Sequence, residues 1–105
     1  MKSRDRQVFT EFSEDLRRRF PDAEIWAFGS RARGEATAES DLDVCVVLPD
    51  LDDAADEAVL QTAWAVGFRH DVVISTVTFS KAEFREGPCR ESALVKSILT
   101  TGLAA

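Results

Sequence analysis

The sequence is poor in cysteine and has no long apolar run. Its two cysteines, Cys45 and Cys89, lack the Cys-x-x-Cys spacing of a zinc or redox pair. Two cysteines also make no disulfide framework, so we expect ordinary reduced thiols. No apolar segment approaches the roughly 20 residues that a membrane-spanning helix needs, and the first residues are polar rather than an apolar signal core. These absences favour a cytoplasmic protein without membrane contact.

Positive charge is also in deficit. The chain has 13 Lys and Arg residues against 19 Asp and Glu residues, which gives a formal net charge of -6. Because neutralisation of phosphates supplies most of the non-specific affinity for nucleic acids, a broad basic surface for DNA or RNA is not expected. Strong nucleic-acid binding is therefore disfavoured, although local basic clusters are compatible with the sequence.

The length limits the chain to one small domain. With 105 residues, 45% of them apolar, it should bury roughly 60 to 70% of its unfolded surface, which is enough for one sheet covered by a few helices. We therefore interpret residues 1–105 as a single domain. A large ligand or partner must then be met at its surface.

Apolar periodicity and turn residues predict the secondary structure. The predicted elements, in chain order, are a helix at 6–20 stopped by Pro21, strands at 23–28 and 41–48, a helix ending near Gly67, a strand at 71–79, a helix with a Ser80/Glu83 capping box, and a helix at about 90–101. This order predicts a mixed α/β (α+β) domain with a small mixed β-sheet and helices on one face. The two tryptophans, Trp26 and Trp64, and the seven phenylalanines are expected to pack in the core.

Two carboxylates begin the second predicted strand. Side chains alternate faces along a strand, so Asp41 and Asp43 should point the same way while Leu42 and Val44 point into the core. Two carboxylates this close on one face of a strand repel each other, and a bound cation would relieve the repulsion. Oxygen ligands suit Mg²⁺ or Mn²⁺ rather than zinc. The pair therefore predicts a divalent metal site.

A glycine-rich basic loop precedes the carboxylates. Gly29 and Ser30 end the first strand, and glycine allows a ligand to approach the backbone amides, as phosphate-binding loops require. Arg31 and Arg33 can add charge-assisted hydrogen bonds to a polyphosphate, and Gly34 lets the loop fold back toward the acids. A phosphate cradle facing a carboxylate metal site is what metal-assisted phosphoryl or nucleotidyl transfer needs.

A third carboxylate is expected on the neighbouring strand. Asp71 opens the apolar run Asp71-Val72-Val73-Ile74 and is the acid placed to join the pair. It could ligate the metal beside the nucleophile and accept the proton of that nucleophile. The sequence thus predicts that Asp41, Asp43 and Asp71 converge.

These motifs resemble those of a known family. Gly29-Ser30, ten residues and Asp41-Leu42-Asp43 fit the signature of the DNA polymerase beta-like nucleotidyltransferase superfamily without gaps. The fuller strings 26–34 and 40–44 are similar to the small stand-alone members called minimal nucleotidyltransferases, or MNT proteins of the MntA antitoxin type. The resemblance continues through Asp71 and 88–102, and so covers nearly the whole chain. It implies a polymerase beta-like fold, a mixed sheet flanked by helices.

The resemblance also implies roles for individual residues. Asp41 and Asp43 would be metal ligands, Asp71 the third ligand and general base, and Gly29 and Ser30 the triphosphate holders. Arg31 and Arg33 match the Arg-Ala-Arg of the family as further nucleotide contacts. The chain carries no separate base-recognition domain, so no motif encodes the nucleotide preference.

The function that the resemblance implies is that of an antitoxin paired with a helical HEPN-domain ribonuclease toxin. Some members transfer AMP from ATP to a tyrosine of that toxin, so Mg²⁺ (or Mn²⁺) and ATP are the expected cofactor and substrate. The chain itself contains no tyrosine, so the acceptor hydroxyl must lie on the partner or belong to a serine or threonine. The sequence leaves room for a homo-oligomer.

Two further interpretations stay open. One is an inactive antitoxin that neutralises its partner by binding alone, with a vestigial nucleotide site. The other is transfer to a small molecule or an RNA end, which the acidic charge and the lack of an appended substrate domain disfavour.

Overall fold

A computed structural model describes residues 1–35, 39–87 and 91–105. Five helices and four strands are assigned within these ranges: α1 (Ser3–Arg19), β1 (Glu24–Phe28), α2 (Gly29–Ala32), β2 (Leu42–Leu48), α3 (Asp53–His70), β3 (Ile74–Ser80), α4 (Lys81–Arg85), α5 (Ala93–Thr101) and β4 (Leu103–Ala104). The predicted start of the last helix, at residue 90, lies outside the described residues, as does Cys89.

The four strands form one mixed sheet in the order β3-β2-β1-β4. Strand β1 pairs antiparallel with β2 and β4, whereas β2 and β3 are parallel. Two parallel strands need a crossover connection between them, and α3 supplies it here. The predicted mixed α/β sheet is confirmed.

Helices cover both faces of the sheet, so the prediction of helices on one face is wrong. Leu42, Val44 and Val46 of β2 pack in a cluster that includes apolar residues of α1 and α3. Cys45 and Val47 point the other way, into a second cluster formed with α4 and α5. A strand buried on both faces reads as a continuous apolar run rather than an alternating one, which is what β2 shows.

The second cluster also surrounds Trp26 and Cys45. Trp26 stacks on Phe84 with ring centroids 5.2 Å apart, as expected for a core aromatic residue. Burial raises the pKa of the Cys45 thiol to about 12, so this cysteine is an unreactive filler of the core.

The third strand begins later than the sequence predicts. Helix α3 continues past Gly67 to His70 and is capped by Asp71 in the left-handed region (φ 54°, ψ 45°). Gly67 lies inside the helix rather than at its end. Its role is one of packing, since a Cβ at this position would overlap with the carbonyl oxygen of Val72. The glycine allows the returning chain to cross close to the helix, and β3 starts at Ile74.

Within the described residues, no helix is long and apolar enough to cross a membrane.

Candidate functional site

The glycine-serine turn lies directly against the second aspartate. Strand β1 ends at Phe28, which pairs with Asp43 on β2, and α2 begins at Gly29 with φ +78°. A Cβ built on Gly29 would overlap with Oδ2 of Asp43. Both the backbone angle and the space therefore require glycine at this position. The predicted neighbourhood of the loop and the carboxylate is present in the fold.

The two aspartates sit at the open end of β2. Asp41 is exposed just before the strand, and Asp43 is half-buried within it. Burial raises the pKa of Asp43, and the nearby negative charge of Asp41 raises it further. A pair of carboxylates that repel in this way favours a divalent cation between them. The pair is suited to Mg²⁺, which often takes one or two protein carboxylates and completes its shell with substrate phosphates and water.

The structure does not place Asp71 at the start of the third strand, where the sequence analysis expected it. It caps α3 instead of opening a strand, three residues before β3 begins. In residues 1–35, 39–87 and 91–105, which include all three aspartates, no group of three or more His, Cys, Asp or Glu side chains could hold a metal ion. The physical reason is that α3 runs three residues beyond Gly67 and carries Asp71 with it.

Ser75 occupies the position on the neighbouring strand that a third carboxylate would need. In the parallel β2–β3 ladder, Asp43 is the register partner of Ser75. Register partners in adjacent strands point to the same face of the sheet. Ser75 is exposed, so a longer side chain at this position meets no core packing. Sequence analysis missed this residue because the strand start was misplaced by three residues, and a serine in an apolar strand carries no charge signal of its own.

Arg31 is structural in this fold rather than a free phosphate ligand. Its side chain is buried and forms an ion pair with Asp5 of α1, with 2.6 Å between Nη1 and Oδ1. Its Nε also donates to the carbonyl oxygen of Ser40, at 2.6 Å. These contacts anchor α2 to α1 and to the segment that leads into β2. The partner Asp5 had no sequence signal, because an acid in the first turn of a helix is ordinarily a solvated residue.

Arg33 and Ser30 remain accessible. Arg33 is exposed and pairs on the surface with Glu35, at 3.0 Å between Nε and Oε2. A surface pair of this kind contributes only about 0 to 1 kcal/mol, so it can be exchanged for a phosphate contact at little cost. Ser30 is half-buried beside Gly29 in α2.

The arrangement brings together Gly29, Ser30, Asp41 and Asp43, with Arg33 at the periphery. Its chemistry is that of an oxygen-ligand cation site beside a half-buried glycine-serine turn, which suits a metal ion delivered with a polyphosphate. The described residues supply two carboxylates to such an ion.

Comparison with solved structures identifies proteins of the same fold. A toxin–antitoxin crystal structure with AMP-PNP matches 89% of this chain and 68% of its own chain, with 23% identity and a TM-score of 0.58. A structure of a tri-AMPylated Shewanella oneidensis HEPN toxin in complex with MNT antitoxin matches 95% of this chain and 70% of its own, with 20% identity and a TM-score of 0.58.

A third similar structure is a putative nucleotidyltransferase from Sulfolobus solfataricus. The match covers 99% of this chain and 87% of that chain, with 17% identity and a TM-score of 0.50. No match was found among curated proteins.

The sequence pattern of a protein family extends over most of the chain. The nucleotidyltransferase domain pattern matches residues 10–100, which include the glycine-serine turn and both aspartates of β2. The protein belongs to the nucleotidyltransferase domain family.

Proposed function

We propose that this protein is an antitoxin that binds a nucleoside triphosphate with a divalent metal ion and neutralises a HEPN-type toxin by binding to it. In this proposal the turn at Gly29 and Ser30 holds the phosphates, and Asp41 and Asp43 hold the metal ion. The metal ion, when bound, neutralises the charge of the polyphosphate beside the two carboxylates. Arg33 is the exposed cation closest in sequence to the turn, and it adds a phosphate contact.

The observation that carries the nucleotide site is the packing of Asp43 against Gly29 across β1 and β2. The role of the protein in a toxin–antitoxin pair is supported by its fold, which is shared with an MNT antitoxin in complex with a HEPN toxin. The AMP-PNP present in a second structure of the same fold supports an adenine nucleotide as the ligand.

Transfer of AMP from ATP to a hydroxyl of the toxin, with tyrosine as the expected acceptor, is the second candidate function. The tri-AMPylated toxin found with an MNT antitoxin favours it. In this reaction the acceptor oxygen bonds to the α-phosphorus, the bond from the α-phosphorus to the bridging oxygen of the β-phosphate breaks, and pyrophosphate leaves. Asp41 and Asp43 would hold the metal ion, which would supply charge neutralisation for the pyrophosphate. The acceptor proton needs a base. The proposed base, Asp71, caps α3 apart from the Asp41 and Asp43 pair, so we rank binding without transfer first.

The experiment that separates these functions uses the double variant D41N/D43N. We expect this variant to lose at least tenfold in affinity for a fluorescent ATP analogue with Mg²⁺, because both metal ligands lose their charge. We also expect it to rescue cells from the co-expressed HEPN-type toxin encoded beside it as well as the wild type does. The measurements are a fluorescence titration and colony counts under toxin induction.

Incubation of the purified pair with α-labelled ATP provides the control. Label that appears on the toxin with the wild type but not with D41N/D43N would establish AMP transfer and reject binding alone. Loss of rescue by the variant, while the complex still forms, would reject binding alone as well. The antitoxin role itself would be contradicted if no HEPN-type protein is encoded beside this chain, or if the chain gives no protection against it.

Replacing Gly29 with alanine should abolish the nucleotide site. Gly29 and Gly34 both have positive φ, at +78° and +74°, so alanine at either position strains the backbone by about 1 kcal/mol. Only at Gly29 does the new Cβ overlap with Asp43. At Gly34, the contact among the described residues is with the backbone nitrogen of Met1, at an ordinary 3.9 Å. We expect G29A to weaken nucleotide binding at least tenfold and G34A to weaken it less than twofold.

Thermal unfolding of both variants completes this comparison. We expect G29A and G34A to lose similar amounts of stability but different amounts of nucleotide affinity. That result would assign the loss of binding in G29A to the contact with Asp43. Equal losses of binding would show that general strain in the loop, and not the contact with Asp43, governs the site.

A further inference from the structure

The outer face of α3 carries an exposed apolar stripe. Leu60, Trp64 and Phe68, which we call the α3 stripe, follow one another at four-residue intervals and so lie on one face of the helix. Their exposed fractions are 43%, 77% and 87%. The expectation that Trp64 packs in the core is therefore wrong, because the opposite face of α3, with Val59, Ala63 and Val66, fills the core instead.

The α3 stripe continues beyond the helix. Val73, which precedes β3, is 64% exposed, and a groove on that side of the helix is lined by Trp64, Phe68, Asp71 and Val73. Large aromatic side chains at this exposure are uncommon on a monomeric surface, and a contiguous set of them marks an interaction site.

The two ends of the α3 stripe are acidic. Glu57 lies about one turn before the stripe and Asp53 about two turns before it, on the same side of the helix, and Asp71 lies at its other end. Glu57 lines a groove with Leu60, Trp64 and Phe68. Across the ranges 1–35, 39–87 and 91–105, none of these three carboxylates forms an ion pair.

The cations at the end of α3 are directed away from this face. Arg69 forms ion pairs with Glu11 and Asp15 of α1, at 2.6 and 2.8 Å, and the ring of His70 contacts Glu11. Both side chains therefore contact carboxylates of α1 rather than the α3 stripe. Arg4 of α1 donates a hydrogen bond to the carbonyl oxygen of His70, at 2.7 Å. The charged side chains that line the two grooves beside the α3 stripe are Glu57 and Asp71.

This charge pattern argues against a second copy of the chain as the occupant of the α3 stripe and favours a different partner. If α3 paired with α3 of another copy in parallel, Asp53 and Glu57 would face their own equivalents. If it paired antiparallel, they would face Asp71 of the other copy. Both arrangements place like charges together across a desolvated contact, which is costly.

We infer that the α3 stripe is the docking surface for a basic amphipathic helix of a partner protein. The helix would present apolar residues at i, i+3 or i+4 and i+7 to the stripe, with Lys or Arg at both ends against Glu57 and Asp71. The distance along α3 from Asp53 to His70 is about 26 Å at 1.5 Å per residue, so the matching helix has about five turns. This inference does not depend on the proposed nucleotide site, since neither the glycine-serine turn nor the Asp41 and Asp43 pair belongs to the α3 stripe.

The test is selection from a phage-displayed library of helical peptides on the immobilised wild-type chain, with counter-selection against the double variant W64S/F68S. Both substituted side chains are mostly exposed, so the variant should fold, and circular dichroism checks this. We expect enriched peptides to combine an apolar face with Lys or Arg at both ends. Their affinity should fall at least tenfold with W64S or F68S and at least threefold with E57Q or D71N, because the paired charges are removed.

The matched control is L99S, which removes an exposed apolar side chain of α5, 46% exposed, away from the stripe. It should leave the affinity unchanged. Failure to enrich any peptide that needs Trp64 or Phe68 would overturn the inference, as would enrichment of neutral or acidic peptides. Sedimentation of the wild type as a dimer that F68S dissociates would overturn it too, because a second copy would then cover the stripe.

Discussion

Replacing Ser75 with aspartate is expected to raise the affinity for Mn²⁺ at least tenfold in the presence of an ATP analogue with a non-cleavable α,β bond. Ser75 is exposed and is the register partner of Asp43 on the parallel strand. A carboxylate there would join Asp41 and Asp43 as a third oxygen ligand of the ion. Titration followed by electron paramagnetic resonance of free Mn²⁺ measures the change. Transfer of label from α-labelled ATP to the partner should also rise above the wild-type level, since a carboxylate beside the metal can accept the acceptor proton.

Two matched variants make this result interpretable. S75N has nearly the same shape as S75D without the charge, and we expect Mn²⁺ affinity close to that of the wild type. D71N tests the three-aspartate prediction and should leave Mn²⁺ affinity unchanged, because Asp71 caps α3 and, within the described residues, belongs to no group of three acids that could hold a metal ion. A large loss of metal affinity in D71N, with no gain in S75D, would restore Asp71 as the third ligand and reject the role of position 75.

The substitution D5A is expected to lower the free energy of unfolding by about 3 to 5 kcal/mol. It removes the ion pair between Asp5 and the buried guanidinium of Arg31. A small domain has only about 5 to 15 kcal/mol in total, so the variant should be close to unfolding at physiological temperature. Urea denaturation followed by circular dichroism measures the loss.

Two controls show whether the uncompensated charge is the cause. The double variant D5L/R31M removes both charges and should recover most of the stability, because apolar groups of similar volume often replace a buried ion pair at no net cost. R33A breaks the exposed pair with Glu35 and should change the free energy of unfolding by less than about 1 kcal/mol. If D5A is as mild as R33A, Arg31 has another way to satisfy its charge, and the anchoring role of the ion pair is rejected.

The sequence predicts most of the architecture because its local signals agree with the tertiary structure. Pro21 follows the end of α1, and the capping box of Ser80 and Glu83 is present in α4 as predicted. Hydrogen bonds from the backbone N–H and then the hydroxyl of Ser80 lower the pKa of Glu83, so the cap also favours the charged form of this carboxyl group. The two-residue strand β4 had no signal, because its pairing with β1 is created by the tertiary fold.

The position of the pair of aspartates was predictable, whereas the third position was not. Strand alternation alone places Asp43 on the face opposite Leu42 and Val44. The start of β3 depends on where α3 ends, and this is fixed by a close approach of Val72 to Gly67 that no local pattern reveals. Glycine was read as a helix terminator, although here it serves the packing of two chain segments.

Arg31 and Trp64 show a second kind of limit. An arginine in a phosphate-type loop and a tryptophan in an apolar helix suggest a surface ligand and a core residue. The fold reverses both, because Asp5 reaches Arg31 from 26 positions away and the core has room for only one face of α3. Such assignments require knowledge of which long-range neighbours exist.

The two tryptophans lie in contrasting surroundings, so their intrinsic fluorescence reports on two different parts of the protein. Trp26 is stacked on Phe84 beneath α4 and α5, while Trp64 stands in solvent on the far side of the sheet. An indole shielded from water emits at shorter wavelength than a hydrated one, so the emission band separates into two components. One component follows the integrity of the interior, and the other reports any occupant of the outer helix, without a label attached to the protein.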